Sequence, residues 1–501
     1  MSRPYRISIH TELGKRMTLG GGTENFLKIG TGKRLLFLGL GHNPALAQSL
    51  TDQTDQVVFL ENESFVQAMP SSWHAAVPLS WTRISPSELS SALDNADSVF
   101  FYRPNLKTFP SYWSPVWAEA RLKKSASDLP AERNNEIWMP YRQHELLGPE
   151  LTHAFASRSF KVIRLPRNIP QDPMILRNLK NSRPRMYLSV NFHGLDPHGS
   201  TASLLQAAGI PVSVWCVDNP FHLLSGMKSP FWQELNLFVT DPWFLDPLRK
   251  HGAKRVFHLP LAASPEFFHP RKEKEWEALH TLFCFVGRSQ FRKKSSFFAG
   301  INLDPDALHT AETMLLKGER SDFAWWTRQC PARFWPGNKV RKPGFGAEQS
   351  GSFWRRAVLE QLARTGKLCI FGDSDWKDLL NGTFILHNEV DYYTALPRIY
   401  EHALVTINLT SLLLPHGLTQ RHFDVWAAGG FLLSDNTPGL GLFPKELTHE
   451  IRFRTPDEAG KLAVRFQKDE AAREQLSSAW REHILAEHTY SHRIDEILNT
   501  V

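Results

Sequence analysis

PHGLTQRHFDVWAAGGFLLSD, residues 415–435, reads as a short helix that runs into a glycine turn and then a buried strand. The helix is predicted over 421–428, Gly429 and Gly430 stop it, and GFLLSD is the continuous apolar run of a strand covered on both faces. Arg421 and Asp424 stand three apart and so share one helical face near the N-terminus. An arginine there suits a diphosphate, and a carboxylate one turn in can accept hydrogen bonds from ribose hydroxyls. A carboxylate that merely complements the helix dipole beside an exposed arginine accounts for the same residues, and both readings stand at this point.

Similar apolar runs recur on either side. LLFLGLG (35–41), VVFL (57–60), SVFFY (98–102), MYLSV (186–190), VSVWCV (212–217), LNLFVT (235–240) and RVFHLPL (255–261) precede it. TLFCFVG (281–287), KLCIFG (367–372) and ALVTINL (403–409) lead up to it. Most are spaced widely enough for an intervening helix, which predicts an α/β protein with parallel sheets. Two segments break the rhythm. Residues 103–180 are rich in Pro, Trp and charge, with helical patterning near 116–125 and 141–157; residues 292–350 lack a strand pattern and read as a helical insertion with a long loop. A final helix is predicted over 457–487. The turn-rich, charged stretch near 270 divides the chain, and the expected units are 1–150, 151–270 and 271–501.

Length and composition agree with this. The chain has 501 residues, 42% hydrophobic and 22% charged, enough for two or three cores. Its net charge of +7 suits anionic partners such as nucleotide diphosphates, and is compatible with peripheral membrane contact. No Lys/Arg run exceeds three residues, so a nucleic-acid partner is not expected. The four cysteines, 216, 284, 330 and 369, form no CxxC pair, and neither a disulfide framework nor a zinc site is expected. The N-terminus lacks an apolar signal core and no stretch is long enough to span a bilayer, so the cytoplasm is the expected location.

With these residues in view, the 415–435 segment resembles the C-terminal domain of group-1 glycosyltransferases, above all the CgeB-like, spore-maturation subfamily. WCVDNP (215–220), TDPWFLDPLRKHGAKRVFHLPLAASPEFFHP (240–270), FVGRS (285–289) and HTYSHRIDEIL (488–498) extend the resemblance over about 185–500. It implies the GT-B fold, with two Rossmann-like domains facing a cleft and, here, an extra N-terminal Rossmann-like segment. It also implies a hexosyltransferase-class enzyme that moves a sugar from a nucleotide diphosphate sugar to an acceptor hydroxyl on a protein, flagellin included, or a surface glycan. The resemblance points to retention and to a reaction that needs no metal, the nucleotide sugar being a co-substrate rather than a cofactor. Carried over by position, Asp424 takes the place of a ribose-binding glutamate, and His416 falls where the superfamily often has a second glutamate. Arg421, Arg288, Lys293 and Lys294 are the expected diphosphate clamp, and Gly429 joins the donor set. His193, in VNFHGLDPHGS, and Asp218 follow predicted strands and are the expected acceptor-side catalytic residues, although a solvated histidine and a turn aspartate would look the same. Asp373–Asp375 (DSD) reads as a helix cap rather than a metal site.

The N-terminal segment offers a rival. Gly39, Gly41 and, at the end of the next strand, Glu61 have the spacing of a nucleoside-binding unit. They resemble the S-adenosylmethionine site of methyltransferases and, faintly, the start of Maf-type flagellin-modifying transferases. A methyltransferase using this segment, or a sugar-nucleotide binder without catalysis, are the alternatives.

Overall fold

A computed structural model of the chain describes residues 7–53, 55–125, 129–167, 171–271 and 274–501. Every apolar run singled out above forms a strand, and the strands assemble into three main sheets. The first runs Phe26–Gly30, Ser98–Tyr102, Arg34–Leu38, Gln56–Leu60, Thr82–Arg83; only Phe26–Gly30 is antiparallel to its neighbour. Alternation along a strand explains why both of its faces are covered. Leu35 and Phe37 enter one apolar cluster with Val57, Phe59 and Phe100, whereas Leu36 and Leu38 enter another with Val99 and Phe101.

The second sheet has six parallel strands in the order Arg255–His258, Asn236–Val239, Val212–Cys216, Met186–Val190, Glu136–Pro140, Lys161–Leu165. The third, also parallel, runs Phe384–His387, Leu368–Phe371, Phe283–Val286, Val405–Asn408, Leu432–Asp435, Arg452–Phe453. These two parallel sheets and their helices form two Rossmann-like units, and the first sheet belongs to a further, N-terminal unit. The second sheet begins at Glu136, ahead of the expected limit at 150.

Several local expectations change. The 103–180 segment holds two strands of the second sheet, Glu136–Pro140 and Lys161–Leu165. The helical insertion expected within 292–350 is present as Pro305–Leu316, Phe323–Gln329 and the start of Arg341–Ala363, with a loop over 330–340. The final helix is two, Pro456–Lys468 and Glu470–Glu487. Asp469 leaves the helical region between them (φ −111°, ψ 77°) and its side chain caps the second by accepting the Ala472 N–H.

The last helix, Tyr490–Thr500, returns to the second sheet's unit. Arg493, almost fully buried, donates to the Pro260 carbonyl at 2.9 Å, and Arg158 pairs with Asp495 at 2.7 Å. Ala263 and residues 488–490 exchange backbone hydrogen bonds of 2.8 and 3.0 Å. The chain is thus tied across the cleft twice, through the linker near 270 and through this helix.

Candidate functional site

In a parallel sheet the crevice for a ligand opens where two neighbouring strands send their connections to opposite sides. In the second sheet that point lies between Met186–Val190 and Glu136–Pro140, so the loops 141–147 and 191–199 flank it. A cavity of about 300 Å³ occupies the place, with Glu145, Arg167, Asn191, His193 and Asp218 on its wall. Asn191 and Phe192 adopt left-handed backbone (φ 53° and 61°), which is costly for residues with side chains and typical of sites where a turn must present a neighbour. His193 hydrogen-bonds Arg167, which forms an ion pair with Glu145. Burial, and then the nearby Arg167 and Arg142 charges, push the imidazole down to about 4, so it is neutral at pH 7. Asp218 is exposed and accepts from Asn191 Nδ2 at 2.8 Å. His193 and Asp218 therefore share one wall, and Glu145 and Arg167, from the segment that gave no strand signal, stand with them.

The third sheet changes direction between Phe283–Val286 and Val405–Asn408. Gly287 follows the first of these strands, and Arg421, opening the helix Arg421–Ala427, reaches it. A Cβ on Gly287 would lie 3.6 Å from Arg421 Nη2, and the guanidinium stands 5.5 Å from the centre of the Phe285 ring. Its Nε is buried without a hydrogen-bond partner. A cation with an unspent buried donor at the switch point is suited to an anion, and the seven-residue helix adds little beyond the guanidinium itself.

The rest of the expected clamp is arranged otherwise. Arg288 is engaged by Glu389 and lies 3.6 Å from Asp373. Lys294, with only 12% of its side chain exposed, is held by Ser352 at 3.2 Å and Glu348 at 3.7 Å. Lys293 is exposed, at a left-handed residue (φ 64°) preceding the helix Lys294–Phe297. Gly429 lies at the far end of the Arg421–Ala427 helix, where φ is 82° and an added Cβ would be 2.9 Å from Pro270; its role there is to end the helix. Asp373 caps no helix, since its carboxylate accepts the Ser289 N–H at 3.0 Å.

Asp424 is buried, at 1% exposure, and both oxygens are occupied. Tyr392 donates to Oδ2 at 2.5 Å and Gln420 to Oδ1 at 2.9 Å. Its place in this structure is an interdomain network rather than a surface open to ribose. Tyr490 donates to Gln420 at 2.9 Å, and Tyr393 donates to Glu150, on the facing domain, at 2.8 Å. Burial raises Asp424 well above the usual carboxylate range and Glu150 to about 7, against the lowering effect of the tyrosine hydrogen bonds. His416 also lies at the domain junction, where its N–H donates to Asp241 at 3.0 Å, while Asn219 donates to the Leu413 carbonyl at 3.1 Å. These contacts bring the C-terminal edges of the two sheets face to face.

The N-terminal glycines do not open a nucleoside site. Glu61 is 3% exposed and is tied to the glycine turn of the neighbouring strand, accepting the Leu40 N–H at 2.8 Å, and to its own loop through the Asn62 N–H at 3.0 Å. Asn105 lies directly against Gly39, and Trp73 Nε1 donates to the Gly41 carbonyl at 2.8 Å. His483, Glu487 and His488 cluster closely enough to suggest a metal. Arg493, however, donates to His488 Nδ1 at 2.7 Å, which leaves the ring proton on Nε2 and removes that nitrogen as a ligand. Among the described residues no helix is long and apolar enough to cross a membrane.

Residues 353–499 match the family described as glycosyl transferase-like. The match contains Arg421, Asp424 and every strand of the third sheet except Phe283–Val286. No curated protein matches the sequence. Among solved structures, the chain is similar to Anabaena Alr3699/HepE in complex with UDP, at 9% identity and a TM-score of 0.43, over 73% of this chain and 100% of that one. It is similar to T4 phage BGT in complex with UDP and Mn²⁺ at 9% identity and a TM-score of 0.40, over 70% and 95%. TarM is similar at 9% identity and a TM-score of 0.38, over 66% and 57%.

Proposed function

We propose that the protein is a glycosyltransferase that binds a nucleoside diphosphate sugar against Gly287 and Arg421 and passes the sugar to an acceptor hydroxyl held at His193. The observation that carries the reading is Arg421, a half-buried cation without a hydrogen-bond partner at the switch point of the glycosyl transferase-like domain. In the reaction the bond from the anomeric carbon to the diphosphate oxygen breaks and a bond to the acceptor oxygen forms. Negative charge grows on the leaving diphosphate, where a fixed guanidinium is worth most. With retention, the acceptor proton passes to the departing diphosphate oxygen; Arg167 donates to His193 Nε2, so the neutral ring keeps its proton on Nδ1 and orients the hydroxyl by donating to its oxygen. Asp424, Gln420, Tyr392 and Glu150 hold the two domains in register, so they serve the site by position.

Against a methyltransferase reading, Glu61, which would bind a ribose, is buried with its oxygens taken by the Leu40 and Asn62 N–H groups. The test is a melting-temperature panel with UDP, GDP, CMP, dTDP and S-adenosylmethionine on the wild type and Arg421→Ala. A shift with one nucleotide that disappears in Arg421→Ala supports the donor site and names the base. A shift with S-adenosylmethionine alone, indifferent to Arg421, overturns it.

A further inference from the structure

A cavity of about 710 Å³ lies outside the cleft, between the N-terminal unit and the acceptor-side domain. Its size is that of a site for a ligand of several rings. Four basic side chains line it, Arg103, Lys107, Arg121 and Arg167, against two acidic ones, Asp172 and Asp196. The acids are spent within the protein. Asp172 accepts from Arg121 at 2.6 Å and from Ser200 and Thr201 at 2.7 and 2.6 Å. Asp196 accepts the backbone N–H groups of His198 and Thr201 at 3.0 and 2.8 Å.

Of the bases, Arg121 is paired with Asp172 and Arg167 with Glu145, which leaves the charges of Arg103 and Lys107 without a carboxylate partner among the described residues. Arg121 is 6% exposed, yet its Nε is buried without a partner, as is His198 Nδ1 on the same wall. Trp117 and Leu195 supply an apolar floor, and the Arg121 guanidinium lies 5.5 Å from the Trp117 ring centre. A wall with surplus positive charge, donors to spare and an apolar floor fits a sugar chain carrying anionic groups.

The cavity is continuous in its lining with the acceptor site. Arg167 stands on the walls of both, and it hydrogen-bonds His193. Between the two, Gly194 (φ 74°) turns the chain, and a Cβ there would press on Pro140, 2.7 Å away.

We propose that this groove binds an anionic stretch of the acceptor glycan and so delivers one of its hydroxyls to His193. The inference rests on the glycosyl-transfer reading for its direction, and it names the acceptor as a carboxylated or phosphorylated sugar chain. It also gives the N-terminal unit a role, since Arg103, Lys107 and Arg121 come from that unit and would be absent from the two facing domains alone.

The test is retention on immobilised oligosaccharides in three sets: carboxylated (oligogalacturonate, oligosialate), phosphorylated (phosphomannan) and neutral (maltodextrin, mannan). The expected result is retention of one charged set at least tenfold above the neutral set, and which set it is distinguishes carboxylate from phosphate. The exposed pair Arg103→Glu with Lys107→Glu should cut that retention tenfold or more, with an unchanged melting temperature and an unchanged nucleotide-induced shift. Wild-type protein that retains no charged set, or retains neutral chains equally, overturns the proposal, as does retention indifferent to the charge reversal. Failure of the donor reading shows separately, as loss of the nucleotide shift with glycan retention intact.

Discussion

A guanidinium kept half-buried with an unused donor costs the folded state about 1–3 kcal/mol unless a ligand uses it. For Arg421 this separates function from stability. Arg421→Ala removes the orphaned donor and one ring contact at 5.5 Å, so the ligand-free protein should melt no lower than wild type. Turnover should fall about 10²–10³-fold, the usual loss for one charge-stabilising group. His193 has a pH signature. Its imidazole is pushed down to about 4, so the neutral form persists as pH falls through 6.5 and is lost only near 4. The pH–rate profile should show no fall near 6.5 from this group, and His193→Ala should lower the rate while leaving nucleotide binding unchanged. Inversion of the anomeric configuration together with abolished activity in His193→Ala would instead make this histidine the base.

Element boundaries depend on a few close approaches. Gly430 leads from the Arg421–Ala427 helix into the strand Leu432–Asp435, and a Cβ there would collide with the Tyr400 carbonyl oxygen. Gly430→Ala should cost more than about 2 kcal/mol by forcing backbone apart in a close-packed core, whereas Gly429→Ala should cost about 1 kcal/mol, mostly for its positive φ. Chemical denaturation of both variants checks the order. This motif was legible in the sequence because glycines and an unbroken apolar run have few other uses together. The central strands were legible for the same reason. Lys161–Leu165 and Phe384–His387 were not, because edge strands expose alternate residues and carry charges among them. Glu136–Pro140 is central but ends in proline within a Trp-rich stretch, which hides it. The site followed the same pattern. His193 could be placed from the end of a predicted strand and Arg421 from the start of a predicted helix, but Arg288 and Lys294 could not be told from free cations. Their partners, Glu389 and Glu348, are about 54 to 101 residues away in sequence, and spacing says nothing of such pairings.

At the scale of the molecule, the two facing domains are joined by buried ionisable groups as well as by chain. Glu150 titrates near 7 when folded and near 4.5 when unfolded, so the folded state prefers its protonated form. Its contribution to stability is fully present below about 4.5 and is lost as pH rises through 7, a change of about 3 kcal/mol by linkage. Glu150→Gln should therefore lose less stability than wild type between pH 5 and pH 8.5, measured by denaturant unfolding at each pH. An identical pH dependence in both proteins would mean that Glu150 is not buried at the domain junction in solution.

The central claim, sugar transfer from a nucleotide donor bound at Arg421, is tested most directly by turnover. Purified protein is incubated with a panel of nucleotide sugars and the charged oligosaccharide acceptors, and released nucleoside diphosphate is measured by chromatography, for wild type and Arg421→Ala side by side. Release from one donor by wild type, slowed about 100-fold or more in the variant, is the predicted result. Equal release by the two proteins, or binding of the donor with no release at all, would contradict it.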